Sequence, residues 1–285
     1  MDEHRQIPTS DSALPRHARL PINRCNLPPQ ILGSLTFQQH PTALQLDGVQ
    51  ALHGHFFAQL DALDDPAQRA AAFKDFMRAS FFLDRLDEVG LQTDRQRVQR
   101  DRADYLRMLR GWMFDADSRE AAVLKSWVES RFGLLPRSHR GKLDNFEGEN
   151  YQAYLAARSQ GLYNTNALEA QLDLLYTFCQ YELSRIYPDQ QHVKLYRGLN
   201  HLAEHETVDS SSPSQSVLLL NNLNSFTDSP ERADEFGDQV IAAQVPLAKL
   251  LFFPGLLPNS LRGEQEYLVI GGLYRVEAIG LLSAG

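Results

Sequence analysis

The hydrophobic pattern of the chain changes at about residue 187. Between residue 46 and that point, apolar side chains recur every three or four positions, as Leu52, Phe56 and Leu60 do, which is the period of an amphipathic helix. Beyond residue 188 apolar positions tend to alternate, which is typical of short strands. The pattern therefore predicts an α+β fold, with a helical N-terminal region packed on a β-rich C-terminal core.

Local signals mark the ends of several predicted helices. Asp65 precedes Pro66, a favourable pair at a helix start, and Gly133 follows a helix predicted from Ser118 to Arg131,. Further helices are predicted from Leu52 to Leu83, as a pair, and over 148–159 and 166–186. The predicted strands cover 193–197, 216–220, 223–227, 239–245, 250–253, 266–270 and 274–279.

The first 45 residues differ from the rest in composition. Six prolines between residues 8 and 41 interrupt both helices and sheet ladders,. We therefore expect a Pro-rich extended arm over 1–45, a helical region over 46–187 and a β-rich region over 188–285. No Gly/Ser-rich linker separates these regions, so we expect them to pack as one continuous body.

Composition and charge exclude several classes of protein. A net charge of -8 argues against a nucleic-acid-binding protein,. The two cysteines, Cys25 and Cys179, form no CxxC motif. We therefore expect no disulfide framework, and we expect the protein to be located in the reducing cytoplasm. No apolar run is long enough to span a bilayer, and the N-terminus has no apolar segment typical of a signal peptide,. We therefore expect no membrane insertion.

Three short motifs carry candidate chemistry. Arg197 ends an apolar strand and is followed by Gly198, which favours a ligand such as a diphosphate or carboxylate, although a solvated arginine at a strand end has the same pattern,. The segment 222–237 leads from a strand through Ser225 into a short helix, and its Ser and Thr residues alone are typical of helix caps. Glu264 and Glu266 lie two residues apart at the start of an apolar strand, on the same face. Taken alone, this carboxylate pair is typical of a solvated strand entrance.

Taken in this order, the three motifs resemble those of the R-S-E class of arginine-specific mono-ADP-ribosyltransferases. The motifs read LYRGL from Leu195, NSFT followed by a short helix with an Ala-x-x-Phe spacing, and GEQEYLVI from Gly263. Together with the long helical region, they are similar to the family of dinitrogenase-reductase ADP-ribosyltransferases. The resemblance covers most of the chain, and its motifs lie in the C-terminal third.

This resemblance implies a split β-sheet core, NAD+ as the substrate and no metal in the active site. The region 188–285 is then the NAD+-binding catalytic region. Glu266 stabilises an oxocarbenium-like transition state, and Glu264 activates the acceptor guanidinium. Arg197 holds the diphosphate and ribose side of NAD+, Gly198 meets the carboxamide through its backbone, and Ser225 orients Glu266.

The second motif of the chain departs from the Ser-Thr-Ser sequence that is usual in the class. Phe226 replaces the middle residue and Thr227 the last, so the register could slip to Ser229. We assign Ser225, Phe226 and Thr227 to NAD+ binding and leave the register open. The loop 254–262 corresponds to the target-recognition loop of the class, in which Leu256 or Leu257 is expected to contact the protein acceptor.

The function that the resemblance implies is transfer of ADP-ribose from NAD+ to an arginine of dinitrogenase reductase, which inactivates it and regulates nitrogen fixation. It also implies a PII-type nitrogen-signalling protein as regulator. Two alternatives stay open: an arginine ADP-ribosyltransferase with another protein target, and a non-catalytic nucleotide-binding regulatory module.

Other motifs favour less specific interpretations. His201, Glu204 and His205 spell H-x-x-E-H, a zinc-binding order, but no later helix offers a third ligand and a surface turn is favoured,. The arginines of 93–102 alternate with acidic residues, as on a solvated helix face or a docking surface for an acidic partner. No G-x-G or Walker A spacing supports a Rossmann or P-loop enzyme.

Overall fold

Helices precede strands along most of the chain. The computed structural model describes residues 13–83, 103–163, 167–200, 206–212, 215–261 and 265–279, with only the backbone of 209–212. The α-helices of these residues are α1 Pro29–Leu32, α2 Leu35–Gln39, α3 Val49–Leu60, α4 Pro66–Phe81, α5 Tyr105–Phe114, α6 Arg119–Phe132, α7 Glu149–Gly161, α8 Ala167–Ile186 and α9 Pro230–Asp234. The strands are β1 His192–Leu199, β2 Thr207–Ser212, β3 Gln215–Phe226, β4 Gln239–Pro246, β5 Leu250–Phe252 and β6 Tyr267–Ile279.

The predicted helix starts and ends agree with the structure. The Asp65 side chain accepts a hydrogen bond from the backbone N–H of Ala67 and caps α4,. Ser118 caps α6 in the same way, and Gly133, with φ of 70°, ends it in the left-handed conformation,. These predictions are confirmed. They succeed because a capping residue acts on backbone groups only a few positions away in the sequence.

The residues predicted to form an extended arm contain two short helices. Pro29 takes the first position of α1, where a missing N–H costs nothing,, and Ser34 caps α2. Both helices bury apolar side chains, α2 packs on β6, and between the two helices the carbonyl of Gly33 accepts a hydrogen bond of 2.8 Å from the N–H of Leu273. Tertiary contacts thus stabilise helices of four and five residues. Helices this short span too few turns to produce a periodic pattern in the sequence. The boundaries of the three predicted regions stay a prediction.

The strands form one antiparallel sheet in the order β1-β4-β6-β3-β2, with β5 paired to β6. The pairing of β6 is divided: β5 lies beside its beginning at Leu268 and Val269, and β4 beside its end from Val276 to Ile279. On the opposite edge, β3 accompanies β6 along most of its length. The α+β prediction is confirmed.

Two pairs of predicted strands are each one continuous strand. The segments 216–220 and 223–227 are joined in β3, and 266–270 and 274–279 in β6. At the junction the register places two residues, Asn221 and Asn222, against Gly271, which is a β-bulge,. A Cβ at Gly271 would lie 1.7 Å from the carbonyl oxygen of Asn221, so only glycine fits there. Polar and glycine residues therefore interrupt the apolar pattern without ending either strand.

One hydrophobic core joins the helices and the sheet. From α8, Tyr176 donates through its hydroxyl to the carbonyl of Ala248 at 2.8 Å, and Gln180 donates to that of Leu250 at 2.8 Å. Asn222 of β3 donates to the carbonyl of Lys125 in α6 at 2.8 Å. These contacts hold the helical region against β5 and β3, the strands that lie on either side of the beginning of β6. Within the described part of the chain, no helix has the length and apolarity needed to cross a membrane.

Candidate active site

The three sequence motifs meet where β3 ends. Thr227 follows β3 and forms an antiparallel bridge with Tyr196 of β1, through hydrogen bonds of 2.7 and 2.9 Å. This bridge brings the neighbouring Arg197 to β3, where its Nη1 donates to the carbonyl of Ser225 at 2.7 Å. The backbone thus unites segments that are about 30 residues apart in sequence.

Glu266 lies directly before β6, and two hydrogen bonds hold its carboxylate. Ser225, paired with Leu268 in the sheet register, donates from Oγ to Oε1 of Glu266. The indole N–H of Trp112, from α5, lies 3.1 Å from the same Oε1 and 2.9 Å from Ser225 Oγ. The carboxylate is therefore oriented from the neighbouring strand and from the helical region.

These groups line one cavity of about 440 Å³, a size within the range of ligand-binding pockets. Its lining includes Trp112, Phe114, Asp117, Lys125, Ser138, Tyr196, Arg197, Gly198, Asn221, Asn224, Ser225, Phe226, Thr227, Arg232, Phe236, Gln265 and Glu266. Two aromatic side chains at the cavity are strongly exposed, Phe114 at 92% and Phe236 at 63%. The site is thus a cavity lined by both polar and apolar side chains and bordered by two exposed aromatic residues.

The electrostatics of the cavity favour an anionic ligand beside Arg197. Burial lowers the pKa of Arg197 to about 10, against an opposing effect of Glu266,. The Nε atom of Arg197 is buried and has no hydrogen-bond partner among the described residues. A cation with an unused donor on a cavity wall fits a diphosphate, which supplies acceptor oxygens and negative charge.

Burial also raises the pKa of Glu266,. Hydrogen bonds from Ser225 and Trp112 and the charges of Arg197 and Arg232 act in the opposite direction. The carboxylate is therefore partly desolvated but supported by donors and cations. This environment strengthens its interaction with a positive charge that develops in the cavity.

The remaining cofactor-site residues lie around the same wall. Gly198 packs so closely on α9 that a Cβ would lie 2.1 Å from the carbonyl of Ala233, so only glycine fits at this position of the cavity wall. Phe226 is buried at 2% exposure, with its ring centre 6.0 Å from the guanidinium carbon of Arg197. Thr227 is buried as well, and it supplies the backbone bridge to Tyr196.

The structure distinguishes the two candidate serines by their contacts. Ser225 contacts Glu266, whereas Ser229 caps α9 by accepting a hydrogen bond from the N–H of Arg232 at 3.1 Å. The geometry thus places Ser225, not Ser229, beside the carboxylate. The second predicted catalytic carboxylate, Glu264, lies outside the described residues, as do the H-x-x-E-H segment and the arginine-rich stretch 93–102.

Leu256 and Leu257 are not available to an acceptor protein, contrary to expectation. Both are 3% exposed, because their apolar side chains turn into the core. From the helical region, Lys74 and Arg110 donate to the carbonyls of Pro258 and Ser260, at 3.4 and 3.3 Å. Among the described positions of this loop, 254–261, Gly255 and Asn259 are exposed.

Sequence patterns alone missed the contribution of the helical region. Trp112 reads as an ordinary apolar position of α5, yet its N–H reaches Glu266. In the loop 134–145, which follows α6, His139 is 1% exposed and lies 3.4 Å from the ammonium of Lys125. Burial lowers the pKa of His139 to about 4. The buried ammonium of Lys125 also binds Asp117 at 3.0 Å beside the cavity. No local signal distinguishes such residues from ordinary core or surface positions.

With Arg197, Ser225 and Glu266 on one cavity wall in their motif order, the arrangement is the one expected of the R-S-E class of mono-ADP-ribosyltransferases. Comparison with known proteins narrows this class. The family described as "Dinitrogenase reductase ADP-ribosyltransferase (DRAT)" matches residues 22–278, and the chain belongs to that family.

A curated relative supports the assignment over nearly the full length of both chains. It is the "NAD(+)--dinitrogen-reductase ADP-D-ribosyltransferase" of Rhodospirillum rubrum, which is 38% identical over 258 residues, 90% of this chain and 94% of the relative. No solved structure matches the chain.

Proposed function

We propose that this protein transfers ADP-ribose from NAD+ to an arginine of dinitrogenase reductase and thereby inactivates it, which regulates nitrogen fixation. The observation that carries the proposal is the contact of Ser225 with Glu266 on the cavity wall that also holds Arg197. Membership in the family and the printed name of the Rhodospirillum rubrum relative support the choice of acceptor.

Glu266 acts on the bond between nicotinamide and ribose. NAD+ supplies a cationic nicotinamide, which leaves with the bonding electron pair as a neutral molecule and makes the ribose oxocarbenium-like. The carboxylate of Glu266 stabilises that developing positive charge, as carboxylates do in glycoside hydrolysis. Ser225 keeps the carboxylate in place through its hydrogen bond to Oε1.

Glu264 acts on the acceptor. A guanidinium has a pKa above about 12 and is a poor nucleophile until a carboxylate orients it and takes a proton. The guanidinium nitrogen then forms the new bond to the anomeric carbon, and the proton passes to Glu264. Two residues before Glu266, Glu264 is in the sequence position that suits this role.

The remaining residues bind NAD+. The guanidinium of Arg197 has an unused donor for the diphosphate and ribose side, and the backbone of Gly198 meets the carboxamide. The ring of Phe226 lies 6.0 Å from the guanidinium carbon of Arg197, and Thr227 fixes β1 to β3 so that this wall keeps its shape.

Two further parts of the proposal concern the cellular setting. We place the enzyme in the cytoplasm, in line with its two free cysteines, Cys25 and Cys179,. We also propose control by a PII-type nitrogen-signalling protein, acting on surface outside the NAD+ cavity.

Labelled NAD+ and dinitrogenase reductase test the proposal directly. The wild-type protein should label the acceptor and release nicotinamide. Glu266→Gln should lower both reactions by at least about 100-fold, the scale on which one group that stabilises transition-state charge acts. Glu264→Gln should mainly lose arginine transfer and keep nicotinamide release, because water needs no such activation.

Glu231→Gln is the control, since Glu231 is exposed on α9 and should leave both reactions unchanged. Nicotinamide release without a labelled acceptor would indicate another protein target. Nucleotide binding without release would indicate a non-catalytic module, and full activity of Glu266→Gln would contradict the catalytic assignment.

A further inference from the structure

Trp112 reaches the carboxylate from outside the sheet. Its N–H is shared between Ser225 Oγ at 2.9 Å and Glu266 Oε1 at 3.1 Å, and Ser225 donates to that same Oε1. Both bonds therefore converge on one carboxylate oxygen. Among the described residues none donates to Oε2, so Oε2 is the oxygen left for a ligand in the cavity.

The helix that carries Trp112 is fixed at both of its ends. At its start, the N–H of Tyr105 donates to the buried side chain of Gln171 at 2.9 Å. Near its end, a Cβ at Gly111 would lie 2.4 Å from Cβ of Glu120, so α5 and α6 are in close contact. Ser118 also donates from its hydroxyl to the carbonyl of Gly111 at 3.1 Å. The indole is thus presented by a rigid element, as a group that orients another must be.

The indole ring itself is held in a closed environment. Trp112 is 2% exposed. The ammonium of Lys125, fixed by Asp117 at 3.0 Å, lies 5.7 Å from the ring centre. A buried ring with few available rotamers keeps its N–H directed at the carboxylate.

We propose that Trp112 is a positioning residue for the reaction: its N–H, together with Ser225, fixes Glu266 so that Oε2 faces the anomeric carbon of the nicotinamide ribose. This inference rests on the proposed function. It gives the helical region a direct part in catalysis, because one helix outside the sheet sets the orientation of the catalytic carboxylate.

The hydrogen bond from Trp112 also favours the charged form of Glu266. The other groups that favour it are Ser225 on β3, Arg197 on β1 and Arg232 on α9. Loss of the indole N–H removes one of these four contributions, so protonation of Glu266 becomes easier. The acid limb of the pH–activity profile should then move to higher pH.

The chain offers a matched control for this test. Its other tryptophan, Trp127 on α6, is 1% exposed and donates its N–H to a carboxylate oxygen of Asp173 at 2.7 Å. Trp112→Phe and Trp127→Phe therefore remove the same ring atoms and the same kind of hydrogen bond from buried helical positions. Only the first change affects Glu266.

Nicotinamide release from NAD+ is measured for both variants across pH. Trp112→Phe should lower kcat by about 10- to 100-fold, the effect of losing one hydrogen bond to a charged group. It should raise the acid limb by about one pH unit and leave KM nearly unchanged. Trp127→Phe should keep the wild-type kcat and profile. If the two variants give the same kcat and acid limb, Trp112 has no positioning role.

A second measurement does not depend on activity or on the folding of Trp112→Phe. In Trp127→Phe, Trp112 is the sole tryptophan, so its fluorescence reports on the contact with Glu266. The emission should change as Glu266 titrates, and Glu266→Gln in the same background should remove that transition. Emission unaffected by Glu266→Gln would overturn the inference. Absence of nicotinamide release from the wild-type protein, with the transition present, would instead overturn the proposed function.

Discussion

Cations that are buried or half-buried have different partners in the helical region and in the β-rich region. In the helical region, Arg69 of α4 is 4% exposed and forms two hydrogen bonds to Glu182 of α8, at 2.7 and 2.8 Å. Its remaining terminal nitrogen donates to two backbone carbonyls at 2.8 Å. The hydrogen bonds to Glu182 raise the pKa of Arg69. Arg131 is paired in a similar way with Asp173, at 2.7 and 2.9 Å.

In the β-rich region, the half-buried Arg197 and the buried Lys249, which directly precedes β5, have no such carboxylate pair among the described residues. Arg197 donates to a backbone carbonyl and keeps a buried Nε without a partner among the described residues. Lys249, 0% exposed, donates to the carbonyl of Gly271 at 2.8 Å and lies against the ring of Tyr274. Burial lowers the pKa of Arg197 to about 10 and of Lys249 to about 7.

This difference separates structural charges from charges that are available for binding. A buried arginine whose three nitrogens all donate to acceptors of the protein holds two helices together and is not directed at a ligand. One with an unused donor at a cavity makes the folded protein less stable but can bind an anion. Arg197 lies at the cavity, where the proposed function uses it to bind NAD+, whereas Lys249 lies in the core and donates only to a backbone carbonyl.

The largest effect on stability is expected from breaking the buried ion pair between Arg69 and Glu182. Arg69→Met should lower the free energy of unfolding by about 3–5 kcal/mol, because Glu182 is left buried without its partner. Chemical denaturation measures the change, and nicotinamide release by the folded fraction should keep its wild-type KM. A loss below about 1 kcal/mol would remove the contrast between the two regions.

Arg197→Met should have the opposite profile. The KM for NAD+ should rise by about 10- to 100-fold, since hydrogen bonds to a charged group are lost. The free energy of unfolding should change by less than about 1 kcal/mol, because the cation that is removed was only partly compensated. Steady-state kinetics and denaturation are compared with those of Arg69→Met. A large loss of stability with an unchanged KM would make Arg197 a structural residue.

The smallest effect is expected at Lys249, and it depends on pH. The folded state favours the neutral amine, so the cost of burying Lys249 is complete below pH 7. It disappears as the pH rises toward the ordinary lysine pKa of about 10.4,. Lys249→Met should therefore stabilise the protein by about 2 kcal/mol at pH 6, after the lost hydrogen bond to Gly271 is counted. The gain should vanish near pH 10. A gain that is independent of pH would show that the pKa of Lys249 is the same in the folded and unfolded states.

Local signals in the sequence were sufficient for much of the architecture. The change of apolar period near residue 187 and the caps at Asp65 and Gly133 predicted the α+β order and several helix limits. They succeed because helix and strand periods, and capping bonds, depend on residues a few positions apart. Motif order likewise selected Arg197, Ser225 and Glu266, which the structure brings to one cavity.

Contacts between distant segments decided the rest. The sequence by itself determined which elements form, in what order, and which family the motifs resemble. Only the tertiary structure brought Trp112 to Glu266, which is 154 positions away in the sequence, and buried Leu256 and Leu257. It also joined the predicted strands 216–220 and 223–227 into β3 across a β-bulge. These features depend on packing of side chains that the chain brings together from far apart, and a local pattern records neither the partner nor the distance.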